Sequence, residues 1–74
     1  MTTNKSALSP RQQEVLNFLA LGYRIDEIAY EMNIKPETVN LHIGKLRSKL
    51  NARTNAQAVS IAYETNLIET SMSG

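Results

Sequence analysis

Residues 25–50 read IDEIAYEMNIKPETVNLHIGKLRSKL, and the reading of this stretch decides the fold. Its first eight residues place Ile25, Ile28, Ala29 and Met32 on one side of a helix and Asp26, Glu27 and Glu31 on the other, the pattern of an amphipathic surface helix. From Pro36 to Leu50 the pattern resumes, with Val39, Ile43, Leu46 and Leu50 at steps of four, three and four. Proline suits the first helical position because the N–H it lacks has no intrahelical acceptor there, and Glu37 complements the positive end of the helix dipole. Between the two, Asn33 readily takes the left-handed conformation, so the chain turns within about three residues. Two short helices joined in this way, the second with a polar outer face, describe a helix-turn-helix.

Working outward, Ser9-Pro10-Arg11-Gln12 combines an N-cap, a proline at the first helical position and a capping-box partner. This predicts a first helix that Gly22 stops, with Val15, Leu16, Phe18 and Leu19 as its core face and Leu8 as a hydrophobic staple. The second helix has a weak cap, since Arg24 offers no side-chain acceptor. Asn51 is expected to cap the third. Thr54-Asn55-Ala56-Gln57 repeats the capping-box pattern and opens a fourth helix that ends near Asn66, after which Leu67 and Ile68 fold back. No stretch alternates with period two over a strand's length. The fold class is therefore all-α, a four-helix helix-turn-helix domain, with one domain over 1–74, an ordered core of about 7–69 and flexible ends at Met1 to Ser6 and Thr70 to Gly74.

Composition narrows the function. Seventy-four residues hold a single domain, and the 42% hydrophobic and 20% charged fractions suit a soluble globule. The chain contains no cysteine and one histidine, so no disulfide, thiolate metal site or redox chemistry is expected, and no metal or cofactor. Without paired catalytic groups or a glycine-rich phosphate loop, no enzymatic activity is expected either. The N-terminus lacks a hydrophobic signal core and no membrane-spanning run occurs, which predicts a cytoplasmic, nucleoid-associated protein without a membrane partner. The short polar lead after Met1 fits a free-standing regulator and equally a C-terminal domain excised from a larger one. A net charge of +1 says nothing about nucleic acid, so that argument rests on where the charges lie.

The chain resembles the LuxR-type family, also called GerE-like, from Leu8 to Ile68. The resemblance rests on Leu8-Ser9-Pro10-Arg11 with Glu14-Val15-Leu16, on Leu19-Ala20 with Gly22, and on Glu27-Ile28-Ala29. It continues through Ile34, Thr38-Val39, His42, Lys49-Leu50, Arg53, Ala58-Val59, Ala62 and Leu67-Ile68. It implies a tetrahelical bundle that binds double-stranded promoter or operator DNA, usually as a homodimer through the fourth helix, and regulates bacterial transcription. RNA polymerase or another regulator is a further expected partner. Three positions depart from the family: Gln12 stands where glutamate is usual, Lys35 where a cap serine is usual, and Gly44 where larger polar residues are common. Gly44 costs the helix up to about 1 kcal/mol relative to alanine, and close backbone approach to DNA is one reason to tolerate it.

At about 1.5 Å per residue the third helix is roughly 22 Å long, and a major groove about 12 Å wide admits it. The face opposite the core stripe holds Glu37, Asn40, Leu41, Gly44, Lys45 and Ser48. Asn40 is the expected base reader, since an amide pairs bidentately with adenine; Leu41 suits a thymine methyl and Glu37 a cytosine amino group. The resemblance implies that positions matching Asn40, Leu41 and Gly44 include those that face bases, with other side chains. Lys35, Thr38, Lys45, Lys49 and Arg53 are the expected phosphate contacts. Each has a plainer reading: Asn40 as a solvated residue, Lys45 and Lys49 as a solubilising face, Arg47 as a solvated side chain, His42 as a packing or backbone-bonding residue. On the fourth helix Ala58 and Ala62 share a face, while Ala56, Val59 and Tyr63 form a second apolar stripe that either covers a neighbouring loop or pairs with a second copy. The alternative function is a protein-interaction module that sequesters a full-length regulator through the fourth helix.

Overall fold

Residues 8–67 are described by the computed structural model, and they form α1 (Pro10–Ala20), α2 (Ile25–Met32), α3 (Pro36–Leu50) and α4 (Asn55–Glu64), with no strand among the described residues. The flexible ends, the fold-back of Ile68 and the limits of the 7–69 core lie outside this range. Ser9 opens α1: its Oγ accepts the Gln12 N–H at 3.1 Å while Gln12 Oε1 accepts the Ser9 N–H at 3.1 Å, closing the capping box. The staple at Leu8 has no apolar partner, because the residue four positions into the helix is Gln13; Leu8 packs against the core instead. At α2, Glu27 Oε1 accepts the Arg24 N–H at 2.8 Å while the Arg24 side chain caps nothing, as a donor-only group must.

The α4 start differs from its sequence reading. Thr54 Oγ1 does accept the Gln57 N–H at 3.0 Å, but Gln57 Oε1 takes the N–H of Arg53 at 2.6 Å rather than that of Thr54. Only half of the expected capping box forms. The other half reaches one residue further back, into the turn that joins α3 to α4.

All four helices end by one device. A residue with positive φ follows each: Gly22 at 90°, Asn33 at 58°, Asn51 at 58° and Asn66 at 64°. In each case the next N–H returns to a carbonyl five residues back: Tyr23 to Phe18 at 3.0 Å, Ile34 to Ala29 at 3.0 Å, Ala52 to Arg47 at 2.8 Å and Leu67 to Ala62 at 2.8 Å. These are Schellman bonds, which satisfy carbonyls that have no helical partner. The first is reinforced by the Phe18 and Tyr23 rings, whose centroids are 4.9 Å apart. Because Gly22 alone of the four lacks a Cβ and sits at φ 90°, Gly22→Ala is expected to cost about 1–2 kcal/mol through backbone strain. A thermal melt checks this; the expected loss is roughly 4–8 °C per kcal/mol.

The core takes Val15 and Leu16 from α1, Ile28, Ala29 and Met32 from α2, Val39, Ile43 and Leu46 from α3, and Ala58 and Ala62 from α4. Helix α3 is the hub, packing against the other three, while α1 also meets α4. Alanines on α4 let that helix come close to the bundle. Leu67 folds back as expected: its side chain packs on the core and its carbonyl accepts from Gln13 Nε2 at 2.9 Å. The result holds α3 by one side and leaves the other side open.

Candidate nucleic-acid interface

Burial of Val39, Ile43 and Leu46, with Leu50 half-buried, orients α3 about its own axis. At about 100° per residue, Glu37, Leu41, Gly44, Lys45 and Ser48 then stand opposite the core stripe, and all five are exposed. Leu41 is 56% exposed, a large apolar side chain projecting from a polar surface. Asn40 is exposed too, but it stands about a quarter turn from the core stripe, on the flank it shares with Arg47. A Cβ built at Gly44 would meet nothing within 4 Å apart from its chain neighbours and the backbone of its own helix. Internal packing therefore does not account for that glycine, and the open strip has a notch at its middle.

The cations are unevenly placed. Residues 35–53 contain five basic residues and one acidic residue, Glu37, whereas residues 8–34 contain two basic and four acidic. The near-neutral total conceals this separation. Lys35, Lys45 and Arg53 are exposed, and among the described residues their side chains make no hydrogen bond or ion pair. Such groups are available to phosphate oxygens. Thr38 is half-buried at the start of α3, its N–H bonded to the Lys35 carbonyl at 2.9 Å.

Lys49 is placed differently from the other cations. It stands on the α1 side of α3, where its Nζ donates to Gln12 Oε1 at 2.8 Å. Gln12 is only 6% exposed, and its one oxygen thus joins the α1 cap to α3. Gln12 therefore does more than the capping expected from its place in the sequence. Its burial, though not its partner, is marked in the sequence, because Gln12 precedes Val15 and Leu16 by three and four residues and so shares their buried face.

Arg47 also departs from expectation. It is half-buried rather than solvated, and its guanidinium donates to the Arg53 carbonyl. His42 is half-buried beside the core, with Nδ1 buried and no hydrogen-bond partner for it among the described residues. The backbone hydrogen bond expected of this side chain is not made at that atom. On α4, Ala58 and Ala62 are fully buried, Val59 is half-buried against the core, and Ala56 and Tyr63 are exposed, Tyr63 by 39%. The second apolar stripe is thus partly used inside the domain at Val59 and open at its two ends. The opposite sign of charge gathers on α2, where Asp26, Glu27 and Glu31 line an open groove of about 590 Å³ together with Leu21, Gly22, Tyr23 and Tyr30. That surface repels phosphate.

Comparison with known proteins agrees with this fold. The family described as "Bacterial regulatory proteins, luxR family" matches residues 6–62. The response regulator protein VraR of Staphylococcus aureus is 39% identical over 62 residues, which are 84% of this chain and 30% of that protein. The chain thus spans less than a third of the length of the response regulators it matches. Among solved structures, the transcription factor GerE superposes with a TM-score of 0.81 at 25% identity, covering 88% of this chain and 97% of that one. The Vibrio cholerae VqmA dimer, a LuxR-type receptor solved in the absence of its target DNA, superposes with a TM-score of 0.82 at 33% identity over 85% of this chain and 28% of that one. The four-helix fold of this chain is thus shared by GerE and by the matched part of VqmA.

Proposed function

Because the chain belongs to the luxR family of bacterial regulatory proteins, we propose that it is a transcriptional regulator that reads promoter DNA through α3 in the major groove. In this reading Asn40, Leu41, Gly44 and Glu37 face base edges, while Lys35, Thr38, Lys45, Lys49 and Arg53 hold phosphates. The function is recognition rather than catalysis, and its place is the cytoplasm; among the described residues no helix is long and apolar enough to cross a membrane. One observation carries the reading: α3 is fixed from one side by buried Val39, Ile43 and Leu46, and its opposite side is an exposed strip beside Lys35, Lys45 and Arg53, whose side chains have no partner among the described residues. Lys49 contributes once its ammonium turns from Gln12 to a phosphate, or remains a brace between α1 and α3.

Selection of bound fragments from random duplexes tests the proposal. Enrichment of one sequence with two half-sites about one DNA turn apart, or a multiple of it, is expected. Failure to enrich any sequence would refute the reading and leave the fourth helix as a protein-interaction surface. We further propose that two copies pair through Ala56, Val59 and Tyr63 of α4, supported by the exposed ends of that stripe. Tyr63→Lys places like charges across such an interface while suiting the C-terminal end of the helix dipole. It is expected to change the complex from two protomers per duplex to one, as read by sedimentation. An unchanged stoichiometry would remove α4 from the interface.

A further inference from the structure

Arg53 presents an exposed side chain from a backbone that is tied on both sides. Its N–H donates to Gln57 Oε1 at 2.6 Å, and its carbonyl accepts from the Arg47 guanidinium. The residues around it are equally constrained. Asn51 sits at φ 58°, Ala52 returns its N–H to the Arg47 carbonyl at 2.8 Å and packs its side chain on the core, and Thr54 caps α4. Arg47 therefore engages the turn twice, once through its carbonyl and once through its guanidinium. Half-buried and so engaged, it is not placed as a phosphate contact of its own.

We propose that Arg47 and Gln57 are positioning residues that clamp the turn between α3 and α4, so that Arg53 offers its guanidinium to a DNA phosphate from a backbone ordered before binding. Ordering a loop on association subtracts from affinity, and a turn already held by side-chain bonds avoids that loss. The planar guanidinium gains more from this than an ammonium would, because its two-pronged pairing with phosphate depends on orientation. The inference rests on the proposed reading of DNA by α3.

Titration of the full chain with the selected duplex and with a random duplex, over a range of salt concentrations, tests it. Arg53→Ala is expected to weaken both duplexes about tenfold and to lower the salt slope by about one unit. Gln57→Met and Arg47→Lys each keep the local charge and helix propensity, and each is expected to weaken both duplexes about threefold with the slope unchanged. On the Arg53→Ala background neither change is expected to cause further loss, which a general loss of stability would not reproduce. Far-UV circular dichroism and melting curves keep all measurements below the unfolding transition. Binding of both clamp variants at wild-type strength, or losses that persist in full without Arg53, would overturn the proposal. If Arg53→Ala is silent while Asn40→Ala still weakens the selected duplex, the clamp fails and the reading of DNA stands. If both are silent, the two fail together.

Discussion

Leu46→Ala is expected to destabilise the domain by about 3 kcal/mol, because removing most of a buried leucine loses its transfer energy and leaves a cavity. Leu46 has no exposed surface and lies in the helix against which α1, α2 and α4 all pack. Its neighbours on the stripe, Val39 and Ile43, come from the same rod, and the α4 side of the core is built of Ala58 and Ala62, too small to fill the space left behind. A domain of 74 residues has a total stability of only about 4–11 kcal/mol. The variant is therefore expected to melt roughly 12–24 °C lower and to need markedly less urea to unfold. Thermal and urea unfolding followed by circular dichroism measure this. A loss below about 1 kcal/mol would mean that α3 is not anchored where the buried stripe places it.

The second large effect concerns recognition and separates two kinds of contact on one helix. Asn40→Ala removes an amide able to pair with adenine and is expected to weaken the selected duplex by about 1–3 kcal/mol, with random duplexes bound nearly as before. Lys45→Ala removes a cation opposite the core stripe; it is expected to weaken all duplexes alike and to reduce the salt slope by about one unit. Neither residue is buried, so neither change should alter stability by more than about 0.5 kcal/mol. Asn40 stands a quarter turn from the core rather than directly opposite it, so in the proposed reading it would face one wall of the groove. Uniform weakening by Asn40→Ala would assign it to phosphate, and selective weakening by Lys45→Ala would assign that residue to a base.

Much of this arrangement was legible in the order of residues. Helix ends depend on neighbours three to five positions away, so Ser9 with Gln12, the prolines at 10 and 36, and Gly22, Asn33 and Asn51 announce where helices start and stop. The spacing of Val39, Ile43, Leu46 and Leu50 likewise fixes which side of α3 turns inward, and hence which side is left for a ligand. One local reading went astray at Gln57, whose amide reaches Arg53 instead of Thr54. Both carbonyl-to-donor distances are open to a glutamine at that position, and the conformation of the turn chooses between them.

Sequence spacing has no hold on contacts made between helices. Gln12 and Lys49 are 37 residues apart, and nothing in either segment marks the other as its partner until α1 and α3 lie side by side. Arg47 was read as a solvated side chain because a helical wheel shows its direction along one helix, not the neighbouring turn that fills that direction. Local hydrogen bonding and hydrophobic periodicity thus account for four helices, their caps and the exposed strip of α3. The brace at Lys49, the clamp on Arg53 and the partial burial of Val59 follow from packing, because each depends on where a second element comes to rest.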